Sequence, residues 1–414
     1  MKDKELYEQI LGITSPWKVE RVELNMESRG VDVYLEHASK IKFKCPKCDV
    51  ECSVYDHSEE RIWRHFNSCQ FHTFIHACPP RVKCKTDGVH QITLPFAEPN
   101  SRFTMLFERL AIDVLSHCDV DGARAILDVS WDEDWHIMEK AVKRGLEKRG
   151  NVAPELIGVD EKAVAKGHKY ITVVSDVKSF TVVDVIDDRK HESLDAYFEK
   201  LEKDQLEAVS AVSMDMWDPY ILSVKTHLDN PEDKIVFDRF HIMKIIGTGV
   251  DSVRKQESRA LFKVGNKTLT GSKYMWLYSE ENLPDKHRDR FNALKALDLK
   301  TSRAWAIKEN LRLFWEQSSK AQGLEHFKRW YFWATHSRLE PIIKAAKTLK
   351  RHIDGMTTYF DFRITNAHAE GINSRIQAIK VKARGYRNQD NFKTAILFHL
   401  GGLNLYPDTH TVVG

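Results

Sequence analysis

Acids at the ends of apolar runs are the residues whose type and setting point to chemistry. Leu156-Ile157-Gly158-Val159-Asp160-Glu161 reads as a buried strand with a carboxylate at its C-terminal tip. The run from Val209 to Met214 ends in the same way, in Asp215. A third acid, Glu370, lies in 366–383, where Ala369, Ile372, Ile376, Ile379 and Ala383 repeat at steps of three and four and mark a buried helical stripe. Asn366, Glu370, Asn373 and Gln377 form a polar line beside it. Three convergent carboxylates supply the hard oxygen ligands that Mg²⁺ or Mn²⁺ takes; two such ions activate an attacking oxygen and stabilise a leaving one in phosphoryl transfer. Two other acids compete. Glu161 neighbours Asp160, but adjacent strand residues face opposite sides; Asp218, before Pro219, is more simply a helix cap.

Thiolates form a second group. Cys45-Pro46-Lys47-Cys48 has the spacing of half a tetrahedral Zn²⁺ site, and Cys84 is the leading third ligand. Asp87 stands three residues on, where a second Cys or His would complete the pattern, so Cys52, Cys69, Cys78 and His90 compete with it for the fourth position. Seven cysteines, an odd number, argue for structural zinc and free thiols over a disulfide framework.

The elements that must position these groups can be read from periodicity. Between the first two acids lie the β-branched runs 170–175 and 180–186, a turn at 176–179 and a helical pattern over 191–201. Three strands, a helix and a fourth strand, with acids at the tips of the first and fourth, is the order of a ribonuclease H-like core, an α+β arrangement in which those tips are neighbours. Lys234 to Phe237 is a fifth strand, leading through Asp238-Arg239-Phe240-His241 into a helix. His241 reads as a hydrogen-bonding core residue with no assigned chemistry. Residues 242–362 form an all-α insertion whose tryptophans, Trp276, Trp305, Trp315, Trp330 and Trp333, belong in its core, with Lys295, Lys300, Arg303 and Lys308 on the surface within reach of DNA. Gly371, inside the third acid's helix, costs about 1 kcal/mol relative to Ala, which points to close approach of another backbone or a ligand.

Toward the N-terminus a short helix at 4–11 precedes a β-hairpin of 17–26 and 31–35. Residues 101–149 read as three helices, 103–116, 120–127 and 133–148, in the layout of a helix-turn-helix. Its last helix would present Lys140, Lys143, Arg144 and Lys148 to DNA, although three-helix bundles without DNA are common. Net charge is only +3, but 341–388 carries ten Lys or Arg against three Asp or Glu. Arg375, Lys380, Lys382, Arg384 and Arg387 are therefore candidate phosphate contacts, with a solvated helical face as the plainer alternative. Trp217 is either core or a stacking surface for an unpaired base. No run reaches transmembrane length and the first residues lack a signal peptide's apolar segment, so an intracellular chain without membrane contact is expected. The expected division is a zinc-binding domain at 1–100, a helix-turn-helix at 101–150, the core at 151–241 and 363–414 with a loosely held end, and the insertion at 242–362.

With these residues in view, the chain resembles the ISL3 family of bacterial insertion-sequence transposases, of the DDE class, over nearly its whole length. The resemblance rests on 157–161 with Gly167-His168-Lys169-Tyr170, on Met214-Asp215-Met216-Trp217 with Pro219-Tyr220, on 237–241, on Asn366-Ala367-His368-Ala369-Glu370-Gly371-Ile372-Asn373-Ser374 and on 382–388. Cys45-Pro46-Lys47-Cys48, Trp63-Arg64-His65 and 80–84 are similar to that family's zinc-binding domain; Asp87 departs from it, since His or Cys is usual there. The resemblance implies that Asp160, Asp215 and Glu370 bind two Mg²⁺ ions in DNA strand cleavage and transfer. It further implies terminal inverted repeats and target DNA as partners, a homodimer on DNA, and a place in the bacterial cytoplasm at the nucleoid. A structure-directed nuclease of the same fold, or a zinc and helix-turn-helix regulator with an inactive core, are the alternatives.

Overall fold

A computed structural model describes residues 3–165, 169–364 and 367–408. Gly167, His168 and Asn366 of the family motifs lie outside the described residues. The chain forms two compact units, one running up to Gly150 and taking in the residues from Leu403 onward, the other from Asn151 to Gly402.

In the first unit the expected hairpin is present as β1 (Trp17–Asn25) and β2 (Gly30–His37), with Asn25 opposite Gly30. The next strands are short and polar: β3 (Lys42–Lys44), β4 (Glu51–His57), β5 (Arg61–Ser68), β6 (Phe71–Ala77), β7 (Pro80–Cys84) and β8 (Gly88–Gln91). They make two sheets, ordered β1-β2-β6-β5 and β3-β4-β7-β8. Trp63 and Val33, both fully buried, sit in their common core.

Helices Met105–His117, Val120–Leu127 and Trp131–Arg149 follow, within two residues of expectation. Each start is fixed by a side-chain cap: Thr104 accepts from the Phe107 N–H, Asp119 from that of Gly122, and Ser130 forms a capping box with Glu133. Such caps stabilise a helix by about 1 kcal/mol each and explain why these boundaries were readable. The segment from Leu403 to Asp408 is tied to the last helix. Gly145 admits Leu403, whose Cβ would stand 2.7 Å from an added methyl; Arg144 donates to the Leu405 carbonyl, and Lys148 pairs with Asp408 at 2.6 Å. Through Asp408, then, the end of the chain is held and not loose; 409–414 lie outside the described residues.

The second unit is built on one mixed sheet. Strands β9 (Leu156–Ala165), β10 (Lys169–Asp176) and β11 (Thr181–Asp187) are antiparallel neighbours, while β12 (Ala211–Met214) and β13 (Ile235–Phe237) run parallel to β9, in the order β11-β10-β9-β12-β13. Parallel pairing directs the C-terminal ends of β9, β12 and β13 to the same edge. A long helix, Arg239–Lys263, leaves β13, and from there to Phe362 all the elements are helical. One apolar core runs from Ile157 and Val212 in the sheet to Trp276, Trp305, Trp315 and Trp330 in the helices. Trp333 departs from expectation: it is 39% exposed.

Candidate active site and zinc-binding cluster

The C-terminal ends of β12 and β13 bring Asp215 and Asp238 together beside Asp160 on the central strand. All three line one pocket, with Ser175, His368, Ala369 and Asn373. Asp238 caps the long helix, accepting from the Phe240 N–H at 2.7 Å, and its other oxygen is 3.1 Å from His241 Nδ1. That nitrogen is also 2.5 Å from Asp215 Oδ1, so one imidazole bridges two carboxylates. Burial opposes a charge on His241, but the hydrogen bonds and charges of Asp215 and Asp238 outweigh it and push its pKa up to about 10. Burial likewise pushes Asp160 up to about 6; the amide of Asn373 opposes this and the charge of Asp215 adds to it.

Helix Ala367–Lys382 lies along β9 and closes the pocket. His368 donates to or accepts from Ser175 Oγ at 2.9 Å, and a methyl on Gly158 would stand 3.1 Å from the same ring nitrogen, so the glycine is what lets the helix sit this close. Asn373 Nδ2 donates to Asp160 Oδ2, Lys162 Nζ reaches the Asn373 carbonyl at 3.4 Å, and Lys380 donates to the Ala163 carbonyl at 3.1 Å. The buried face is His368, Ile372 and Ile376, rotated slightly from the stripe expected, and Ala383 is exposed.

The three expected acids are placed differently. Asp160 and Asp215 share the pocket; Glu370 is exposed on the first turn of the helix, one turn before Asn373, and does not line it. Glu161 points away from Asp160, as strand alternation requires, and holds Arg189 through both carboxylate oxygens at 2.8 and 3.2 Å. Asp218 opens helix Asp218–His227 outside the pocket. Among the described residues nothing outside its own helix lies within 4 Å of a methyl added at Gly371, so the expected close approach of another backbone is not found. Sequence reasoning missed Asp238 and His241. Their signal was the Asp-x-x-His spacing at the start of a helix directly after a strand, which puts both side chains on one face beside the strand tip.

Asp160, Asp215 and Asp238 line the pocket with carboxylate oxygens, the hard donors that Mg²⁺ takes, and His241 Nδ1 lies against two of them.

Among the candidate DNA contacts, Trp217 is 40% exposed, with its indole N–H fixed on the Arg189 carbonyl at 3.0 Å; the Arg189 guanidinium lies 4.1 Å from the Tyr170 ring centre and 5.1 Å from that of Trp217. Arg375, Lys382, Arg384 and Arg387 are exposed. Of the four candidates in the helix-turn-helix, Lys143 and Lys148 are exposed. Arg144 is buried and bound to Glu98, Glu108 and the Leu405 carbonyl, Lys140 to Glu98 and Glu108, and Lys148 to Asp408. Arg144 and Lys140 thus hold Glu98 and the buried Glu108, and Lys148 holds the segment that reaches Asp408. Lys308 is also not at the surface: it is 2% exposed, and its ammonium caps a short helix through the carbonyls of Trp276, Leu277 and Tyr278. Lys295 pairs with Glu280, while Lys300 and Arg303 are exposed.

In the first unit Cys45, Cys48, Cys84 and Asp87 place four ligand atoms within 4.8 Å of one another. The sulfurs of Cys48 and Cys84 are 3.5 Å apart, and Asp87 Oδ2 is 3.4 Å from Cys84 and 3.8 Å from Cys45. Tetrahedral zinc with Zn–S bonds of about 2.3 Å needs sulfurs about 3.8 Å apart, so the set fits. Cys52, Cys69, Cys78 and His90 are not members of the cluster; the His90 ring bonds the Asp87 carbonyl instead, at 2.7 Å.

A cysteine-rich cluster, a three-helix segment of helix-turn-helix layout and an acid-edged sheet occur together in this chain. Residues 157–396 match the ISL3-type transposase domain, 42–87 the zinc finger of transposases of the IS204/IS1001/IS1096/IS1165 group, and 92–142 the helix-turn-helix domain of transposase family ISL3. The chain belongs to the ISL3 family of insertion-sequence transposases. It is 25% identical to the transposase for insertion sequence element IS1001 of Bordetella parapertussis, covering 95% of this chain and 97% of that one. It is 23% identical to the transposase for IS1557 of Mycobacterium tuberculosis, covering 97% and 96%. No helix among the described residues is long and apolar enough to cross a membrane.

Proposed function

We propose that this chain cuts the DNA at the ends of an insertion sequence and joins those ends to a target, in a Mg²⁺-dependent reaction at the pocket edged by Asp160 and Asp215, with Glu370 as the third acid. The observation that carries the reading is the convergence of Asp160 and Asp215 from separate strands on one pocket, roofed by the helix that bears Glu370. The strand order and directions support a ribonuclease H-like core. Asp160, Asp215 and Glu370 would hold the metal, with Asp238 beside Asp215; when bound, it supplies Lewis acidity to the attacking and leaving oxygens. Asn373 orients Asp160, and His241 keeps Asp215 and Asp238 side by side. Exposed cations on and after the Glu370 helix hold phosphates, and the zinc-binding and helix-turn-helix domains recognise the terminal repeats. Two ends must meet, so the protein acts as a homodimer on DNA, in the bacterial cytoplasm at the nucleoid.

The test replaces Asp160 or Asp215 by Asn, or Glu370 by Gln, and follows cleavage and strand transfer on a labelled DNA end. Each variant is expected to bind the end and not cut it; full cutting by any one removes that residue from the site. Cut ends with no joined product would favour a nuclease.

A further inference from the structure

Helices Lys320–Thr335 and Glu340–Arg351 form a hairpin within the second unit. Between 324 and 351 the chain has seven Lys or Arg against two Glu. Lys328 and Arg329 lie on the first helix, Arg338 in the connection, and Lys344, Lys347, Lys350 and Arg351 on the second; all seven are exposed. Among the described residues none of the seven side chains has an ion-pair or hydrogen-bond partner, while Lys255, Lys295 and Arg312 elsewhere in the helical region pair with acids.

The second helix is sharply two-faced. Ile342, Ala345, Ala346 and Leu349 are buried, and Lys344, Lys347 and Arg351 lie on the opposite side, with Glu340 in the first turn. On the first helix Phe332 is 63% and Trp333 39% exposed, each four residues after a cation, and Phe332 stacks on His336 with ring centres 4.0 Å apart. Two large aromatics left in water among unpaired cations is a poor arrangement for a solitary surface. It suits a strand of nucleic acid, whose phosphates meet the cations and whose unpaired bases stack on the rings.

The hairpin is also firmly seated near the pocket. Gly249 of the long helix leaves room for the Pro341 carbonyl, 3.1 Å from where a Cβ would stand. Eight residues separate Gly249 from His241, about 12 Å along the helix.

We propose that this hairpin is a second DNA-binding surface, apart from the N-terminal unit: Lys344, Lys347 and Arg351 grip the backbone of DNA engaged at the pocket, and Phe332 and Trp333 stack bases left unpaired beside the cut. The inference rests on the reading of the pocket as a DNA-cutting site. Its test needs no catalysis. The full chain, without divalent metal, is titrated by fluorescence anisotropy against a labelled duplex of arbitrary sequence and against the same duplex with a single-stranded extension, over a range of salt. In the Lys344→Ala/Lys347→Ala/Arg351→Ala variant the slope of log affinity against log salt is expected to shrink by about 2 to 3, at about 0.9 per phosphate contact, with affinity down about tenfold or more for both DNAs. Phe332→Ala/Trp333→Ala is expected to keep the slope and lose the preference for the extension. An unchanged slope and affinity in a triple variant that unfolds at the parent's temperature overturns the proposal; Lys344→Glu alone serves the same purpose if the triple variant does not fold. Unchanged DNA binding with a smaller assembly on a sizing column, in the aromatic variant, also overturns it and assigns the face to a second copy of the chain. Asp160→Asn separates the two readings, since it should stop cutting and leave the slope as it was.

Discussion

The side-chain amide of Asn373 donates to the carboxylate of Asp160, joining residues 213 positions apart in sequence. Through this bond the helix that bears Glu370 is referenced to the strand that bears the first acid. Asn373→Ala should therefore leave DNA binding intact while raising the Mg²⁺ concentration needed for half-maximal cleavage about 10- to 100-fold, the usual cost of losing a group that orients a metal ligand. A metal titration of the cleavage rate checks this, and an unshifted curve would show that the bond has no positioning role.

Gly158 and Gly371 should respond in opposite ways to alanine. At Gly158 the new methyl would stand 2.8 Å from Ser175 Oγ and 3.1 Å from His368, so the roof helix must lift, at about 1–3 kcal/mol of stability and with loss of cleavage. At Gly371 nothing among the described residues outside its own helix lies within 4 Å, and the substitution should stabilise the helix by about 0.5–1 kcal/mol. If DNA passes there, cleavage falls despite the gain. Thermal unfolding alongside a cleavage assay separates the two effects.

Asp134, fully buried with neither carboxylate oxygen hydrogen-bonded among the described residues, gives the first unit a pH dependence. Burial, helped by Glu133 and opposed by Arg124, pushes its pKa from 3.8 up to about 7. The folded state then holds a proton between those values that the unfolded chain has released, so stability falls as pH rises from about 4 to 7 and levels off above. Asp134→Asn should be near neutral at pH 4 and stabilising by about 1–3 kcal/mol at pH 8. Denaturant unfolding at both values decides; an equal effect at the two would contradict it.

One zinc per chain is expected by metal analysis, lost in Cys45→Ser and Cys84→Ser. Asp87→Cys should retain it and release it to a chelator more slowly, because a fourth thiolate replaces a weaker carboxylate. Faster release from Asp87→Cys would place the fourth ligand elsewhere.

Arg144 and Lys143 share a helix and should separate fold from recognition. Removing Arg144 leaves Glu108, 2% exposed, short of a partner, so Arg144→Met should cost about 3–5 kcal/mol. Lys143→Ala, at an exposed position, should leave stability alone and weaken binding to the terminal repeats. The opposite pattern would reverse the two roles.

Much of the second unit was legible because its strands are apolar runs and Met214 is followed at once by Asp215; β9, however, continues past Asp160 to Ala165, so that acid stands in mid-strand and not at the tip expected, because β10 pairs with residues 161–165. The helix-turn-helix was legible through Thr104, Asp119 and Ser130. Strands β3 to β8 were not. Their residues are largely polar, and the sheet of β3, β4, β7 and β8 carries a ligand cluster whose members are far apart in sequence, so periodicity has little to register. Lys140, Arg144 and Lys308 misled for one reason: a long cation on a helix looks the same in sequence whether it faces water or reaches inward to a carboxylate or a carbonyl. Asn373 stood on the expected polar line, but nothing in its type told it apart from Gln377, which is exposed.

The strap from Leu403 to Asp408 has a consequence for biosynthesis. Arg144 emerges from the ribosome some 260 residues before the carbonyl of Leu405 that completes its set of partners. A nascent or truncated polypeptide that stops anywhere within the second unit therefore carries a recognition module with its final clasp undone. Translation to Asp408 is what finishes the part of the protein that was made first.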